Sequence, residues 1–266
     1  MAHKSWQPKD RFKDRVRRRR GKRPTAGARV RDTDGHALLY GWHTVKAALE
    51  NPARRFRRLL ATENALRRLA DDGIALPLKP ELVRPDVIDA QLGPDAVHQG
   101  LLAETDPLAA PALAEISQDG IVLVLDQITD PHNVGAILRS AAAFGAIGIV
   151  TQDRHSPPES GVVAKASSGA LERVPWVRVV NLARALEEIA EAGFWRIGLT
   201  GDAQTELKDA LGPSRVALVL GAEGPGLRQN TREHCDALAR LPIGDAVESL
   251  NVSNAAAVAL YAASAH

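Results

Sequence analysis

Ile121-Val-Leu-Val-Leu125 is an unbroken apolar run, and a run without polar alternation suits a strand covered on both faces, as in a parallel sheet. Downstream the pattern alternates: helix 133–144, strand 147–150, helix 162–168, strand 177–180, helix 182–191, then strands 195–200 and 216–220. Repeated β-α-β with short connections predicts an α/β sheet carrying helices on both faces. Ligands on such sheets collect at the carboxyl ends of strands. Upstream the elements are shorter: strand 37–40, a turn at Gly41, helix 44–49, strand 56–61, helix 64–71 stopped at Gly73, helix 80–92 and strand 101–103. The stretch 106–115 is rich in Pro and Ala and reads as a linker. The predicted organisation is a tail over 1–34, a small α/β domain over 35–105, a linker over 106–118 and a larger α/β domain over 119–266.

The last third concentrates turn-forming residues. Leu218-Val-Leu-Gly-Ala-Glu-Gly-Pro-Gly-Leu-Arg228 is an apolar strand running into a glycine-rich turn with one acid, Glu223. Leu241-Pro-Ile-Gly is a proline-marked turn, and Ser249-Leu-Asn-Val-Ser-Asn254 opens onto an alanine-rich helix, 255–263. Glycine admits positive φ and close approach to backbone, so three such loops predict a pocket that grips a small molecule largely by main chain. A dinucleotide-binding reading requires G-x-G-x-x-G straight after the first strand. Here that strand leads into Asp126-Gln-Ile-Thr-Asp-Pro-His-Asn-Val-Gly135, and no glycine cluster is followed by a Walker-type lysine. A Ser-His-Asp hydrolase is disfavoured because Ser249 is not in a G-x-S-x-G elbow.

Charge changes the picture. Residues 1–34 hold thirteen Lys/Arg against four acids, a charge of +9, whereas the remainder carries −7, for +2 in total. Like charges as dense as Arg17–Arg20 keep a chain extended. The tail is expected to be a disordered basic arm that gains affinity for nucleic acid by counterion release; a solubilising tail, or a stretch read only by a partner protein, is the alternative. Aromatics are scarce at 4%, which puts the core on Leu, Val, Ile and Ala. One cysteine, Cys235, excludes an internal disulfide framework and a cysteine-based zinc site. No apolar run approaches the roughly 18 residues of a membrane span, and no signal-type segment opens the chain. A cytoplasmic protein is expected.

Individual residues remain open by themselves. Asp130 or Asn133 would cap the helix they precede. Arg139 alone is a helical arginine that would pair with a surface acid, and His132 reads as a loop histidine. Ser249 and Asn251 alone are helix caps. The small residues of Ala166-Ser-Ser-Gly-Ala suit a close helix–helix or helix–RNA approach, or ordinary tight packing.

Taken together, Asn133-x-Gly135-x-x-x-Arg139, Gly221-x-Glu223-Gly224-x-Gly226 and Leu241-Pro…Ser249-Leu-Asn-Val-Ser253 resemble the three ordered motifs of the SpoU (TrmH-type) RNA 2′-O-ribose methyltransferases, of the SPOUT superfamily. The likeness covers about 120–266, and the segment 167–175 adds to it. Residues 37–105, ending His98-Gln-Gly, resemble the L30e-like substrate-binding domain of the 23S rRNA guanosine-2′-O-methyltransferase branch. The resemblance implies a C-terminal α/β-knot domain, a trefoil-knotted parallel sheet, behind the smaller L30e-like domain. It implies S-adenosylmethionine as cofactor, RNA as partner, a homodimer, and neither metal nor membrane. Gly221, Leu241, Ile243 and Leu250 would line the cofactor site; Arg139 would activate the ribose hydroxyl, with Asn133, Glu223, Ser249 and Asn251 positioning it. The expected activity is ribose 2′-O-methylation of a guanosine in 23S rRNA. A tRNA methyltransferase of the same fold, or a non-catalytic RNA-binding or ribosome-assembly protein, is the competing reading.

Overall fold

The computed structural model describes residues 36–93, 95–116, 119–212, 214–244 and 246–265; the basic arm expected over 1–34 lies outside the described residues. The chain forms two sheets. The first takes β1 (Ala37–Tyr40), β2 (Phe56–Ala61), β3 (Glu81–Leu82) and β4 (Leu101–Thr105) in the order β1-β4-β2-β3. β4 runs antiparallel to both neighbours, and β3 is parallel to β2. Its helices are α1 (Trp42–Glu50), α2 (Glu63–Asp71) and α3 (Pro85–Leu92). The helix expected over 80–92 is corrected here. It starts only at Pro85, after an extended Arg84, and the residues before it supply β3. Proline disfavours helical backbone in the residue preceding it and is itself well suited to a helix's first turn.

The second sheet holds β5 (Gly120–Asp126), β6 (Gly148–Gln152), β7 (Trp176–Val179), β8 (Trp195–Leu199), β9 (Thr205–Glu206), β10 (Arg215–Gly221) and β11 (Ala237–Arg240) in the order β7-β6-β5-β10-β8-β11-β9. All its pairings are parallel. The intervening helices are α4 (Pro131–Ala143), α5 (Gly161–Ser167), α6 (Leu182–Glu191), α7 (Leu207–Ala210), α8 (Gln229–Glu233) and α9 (Val252–Ser264). From β5 the chain steps outward through β6 to β7, then crosses to β8, and β10 returns to lie between β8 and β5. Loops that leave the carboxyl ends of such strands on either side of the reversal create a crevice. Among the described residues, no helix is long and apolar enough to cross a membrane.

The apolar runs bury both faces. Ile121, Leu123 and Leu125 of β5 join Val216, Leu218 and Leu220 of β10 in one cluster, while Val122 and Val124 join Ala217 and Val219 in another on the opposite face. This is the period-two alternation of a strand, with helices covering each side. The first cluster does not stop at this sheet. It continues into Leu39, Trp42, Val45, Leu59 and Leu101 of the first-sheet region, so both sheets share one apolar core.

Candidate active site

The start of α4 is set by Asp130, whose carboxylate accepts from the His132 backbone N–H at 2.9 Å, with Pro131 opening the first turn. Asp130 is thus the cap, and Asn133 is left free within the first turn to reach outward. β10 ends at Gly221, after which Ala222–Gly226 folds back, closed by Gly226 N–H donating to Ala222 O at 2.9 Å. Gly224 (φ 81°) and Gly226 (φ 69°) supply the left-handed backbone that this reversal needs. A Cβ at Gly221 would overlap the backbone of Gly226 and Leu227. Gly221 is therefore required by the chain's own return, before any ligand is considered. The turn's exit is pinned by Arg228, whose backbone N–H and Nε donate to the buried Asp126 at the end of β5, while Nη2 donates to Gln152.

This turn carries Glu223 to the start of α9. Glu223 Oε1 accepts from Asn251 Nδ2 at 2.6 Å, Asn133 Nδ2 at 3.2 Å and the Val252 backbone N–H at 3.3 Å. Asn251 Nδ2 also donates to Asn133 Oδ1 at 3.1 Å, and Asn251 Oδ1 caps α9 by accepting from the Ser253 N–H at 2.9 Å. One carboxylate oxygen thus joins three segments far apart in sequence. The negative charge also lies at a helix N-terminus, where the backbone dipole favours it. The other oxygen, Oε2, has no partner among the described residues.

Beside this cluster opens a pocket of about 530 Å³, walled by the turn 221–226, the segment 199–202 after β8, and the return segment 241–250 with Val252 and Ala255. Gly221, Leu241, Ile243 and Leu250 all line it, as do Glu223 and Ser249. Ser249 is exposed and makes no hydrogen bond within the chain among the described residues. Arg139 does not line this pocket. It lies about 9 Å along α4 from Asn133 and about a third of a turn around the axis, exposed and without an acid partner among the described residues. The surface ion pair that a lone helical arginine suggests does not form. Asn133 and Asn251 stand against the pocket's edge through Glu223.

The pocket wall holds a second polar group that no sequence motif marks. Thr200 and Arg232 both hydrogen-bond Asp202. The Thr200 hydroxyl, and then the Arg232 guanidinium, hold the Asp202 carboxyl below its ordinary range. The only available signal was an acid shortly beyond a strand end, three residues after Leu199, as Glu223 is two after Gly221. Behind β8, burial pushes the Cys235 thiol up to about 12, so it stays protonated and unreactive at neutral pH. A larger cavity of about 700 Å³ lies elsewhere, between linker residues 107–111 and Trp176 and Arg178, and is lined by no residue of the three ordered motifs.

The profile of the SpoU rRNA Methylase family matches residues 120–261. The chain belongs to the SpoU rRNA methylase family. A second profile, described as RNA 2′-O ribose methyltransferase substrate binding, matches residues 38–111. The chain is 37% identical over 238 residues to the 23S rRNA (guanosine-2′-O-)-methyltransferase RlmB of Pseudomonas putida, covering 85% of this chain and 94% of that one. It is 38% identical over 242 residues to RlmB of Yersinia pestis, covering 84% and 95%. The crystal structure of the SpoU methyltransferase AviRb from Streptomyces viridochromogenes in complex with AdoMet matches with a TM-score of 0.72 and 25% identity, covering 87% of this chain and 90% of that chain. In this SpoU protein the match to the family profile spans both Asn133 and Asn251, the two ends of the cluster that Glu223 closes.

Proposed function

We propose that this SpoU-family protein transfers a methyl group from S-adenosylmethionine to the ribose 2′-oxygen of a guanosine in 23S rRNA. The observation that carries the reading is the convergence of Asn133, Glu223 and Asn251 on one carboxylate oxygen at the rim of a backbone-walled pocket. The names of the relatives that match most of the chain supply the substrate class.

The pocket fits the cofactor in size and chemistry. Its volume falls within the usual range of small-molecule sites. Leu220, Leu241 and Leu250 offer apolar surface to a purine, and the turn 221–226 offers backbone. Asp202 and Arg232 place opposite charges on the same wall, suited to a zwitterionic amino-acid tail. When bound there, the cofactor supplies an electrophilic methyl group on a sulfonium centre. The protein's own contribution is mainly orientation, because an in-line attack depends on holding the reacting atoms in place. Glu223 fixes Asn133 and Asn251, and Ser249 presents an uncommitted hydroxyl to the pocket. Among the described residues no acceptor takes the donors of the exposed Arg139 guanidinium. Its role is to neutralise negative charge as the 2′-oxygen becomes an alkoxide.

Because Arg139 is outside its own pocket, the reading includes a homodimer in which it serves the partner's pocket. Exposed Val258 (47%) and Tyr261 (63%) on α9, the helix packed beside α4, support an apolar interface there. The test is incubation of purified protein with labelled S-adenosylmethionine and total RNA from cells lacking the gene, followed by nucleoside mass spectrometry. Label is expected as 2′-O-methylguanosine in 23S RNA and absent with Arg139→Ala. Label in tRNA would overturn the substrate. No label in free RNA or in immature ribosomal particles would overturn the activity.

A further inference from the structure

We infer that Arg54 is a positioning residue that locks the substrate-binding region and the methyltransferase region into one rigid RNA-reading body, fixing α4 and its Asn133 and Arg139 relative to the bound RNA. This rests on the RNA methylation reading above.

Arg54 sits in the turn between α1 and β2, and its side chain is fully buried. Its Nη1 donates to Glu159 Oε1 at 2.5 Å and to Asp106 O at 2.9 Å. Nη2 and Nε form a fork on Glu172, at 2.6 Å to Oε1 and 3.1 Å to Oε2. The remaining oxygen is also taken, since the Leu108 N–H donates to Glu159 Oε2 at 3.0 Å, and Asn51 Nδ2 adds a second donor to Glu172 Oε2 at 2.8 Å. Every carboxylate oxygen is occupied. Burial alone would pull the guanidinium down, but the hydrogen bond to Glu172 and the charges of both glutamates hold it above its ordinary value. One side chain therefore joins the first-sheet region, the linker and the second-sheet region.

The two acids bracket α5: Glu159 stands just before Gly161, and Glu172 follows Ser167 by one short turn. α5 has no slack on either side. A Cβ at Gly161 would collide with Leu38 O of β1, one at Gly169 would sit 2.8 Å from Ala47 Cβ of α1, and one at Gly135 of α4 would sit 2.8 Å from Val163 O of α5. A rotation of the first-sheet region thus cannot be absorbed before it reaches α4. A buried ion pair is weak evidence for stability in itself, because its desolvation offsets its attraction. Its distinctive effect is a single orientation. A tethered domain would instead have to be ordered when RNA binds, at an entropic cost.

The experiment combines Arg54→Lys, which keeps charge but loses the fork, with the gentler Glu172→Gln and with a six-residue Gly/Ser insertion between the exposed Ala109 and Ala110. If the clamp sets the geometry, the insertion alone leaves KM for 23S RNA and kcat within about two-fold. Arg54→Lys raises the RNA KM about ten-fold, as expected when effective concentration replaces fixed geometry, and the insertion raises it further in that background. Cofactor affinity by calorimetry stays unchanged throughout. An unchanged RNA KM in both Arg54→Lys and Glu172→Gln overturns the inference, as does an equal loss from the insertion alone. Spin labels on Arg67→Cys and Glu188→Cys give a readout independent of activity. A narrow distance distribution that broadens with Arg54→Lys supports the clamp, and a broad one in the parent protein overturns it. If the parent protein methylates no RNA, the activity reading fails and the spin-label distances alone decide the rigid-body part.

Discussion

Two polar clusters in this molecule use the same chemistry to opposite ends. Around Arg54, a fully buried guanidinium meets two nearly buried carboxyl groups and a half-buried amide, and every carboxylate oxygen has a donor. Around Glu223, a carboxylate and two amides lie at an exposed rim, with Oε2 of the acid and the nearby Ser249 hydroxyl uncommitted. A closed network specifies geometry, whereas an open one retains capacity for a ligand. The difference is the one expected between a structural joint and the proposed reaction site.

The comparison can be broken by variants that move stability or turnover but not both. The largest stability effect is expected from Arg54→Ala, which strands two buried carboxylates and should remove about 3–5 kcal/mol in urea unfolding; a loss within experimental error would show that the cluster is solvated. Arg139→Ala should lower turnover by about 10²–10³-fold, the range seen for loss of one charge-stabilising donor, while leaving the unfolding midpoint in place. Gly221→Ala forces the turn off β10 and should cost about 1–3 kcal/mol as an overpacking strain, with cofactor affinity falling alongside, read by calorimetry. Glu223→Gln keeps an acceptor oxygen and should shift stability by less than about 1 kcal/mol while slowing methyl transfer measurably. A variant that unfolds as readily as Arg54→Ala would place Glu223 on the structural side of the comparison.

The smallest effect is electrostatic. The Asp236 carboxyl is held below its ordinary value by its hydrogen bonds to Arg196, and Asp202 by Thr200 and Arg232. Because their folded values lie below those of the unfolded chain, their stabilisation is complete at neutral pH. It is lost as pH falls from the usual carboxylate range, about 3.9, towards the depressed folded values. Melting temperature followed from pH 7 to pH 3 should fall at the acid end, and Asp236→Asn should flatten that fall.

Several elements were legible because burial imposed their pattern. The strands expected at 37–40 and 56–61 and the helix at 182–191 match the structure residue for residue, and the runs of β5 and β10 announced strands covered on both faces. β11 escaped because only Ala239 of Ala237–Arg240 is buried, which leaves no periodicity to read. β9, α7 and α8 span two, four and five residues, too short for a pattern. Motif residues 133, 223 and 251 were legible through resemblance, yet their shared oxygen was not, since no local rule places position 223 beside position 133. Arg54 was invisible among its arginine neighbours, because its partners lie 105 and 118 positions away. The small residues at 166–170 were ambiguous from spacing. In the fold they admit α4 on one side and α1 on the other.

The position of β10 has a kinetic consequence. It pairs with β5 in the register Arg215↔Gly120 and with β8 on its other edge, so the centre of the sheet closes only after a long intervening chain has been made. Non-local parallel pairing of this kind forms slowly, since loop-closure entropy is spent before contacts repay it. During synthesis the outer strands β6 and β7 can assemble first, but the pocket waits for the segment 241–255, which follows every strand of the sheet. The nascent protein therefore completes this pocket only after both sheets, and a chain truncated before α9 should be able to build the first-sheet region while lacking one wall of the proposed cofactor pocket.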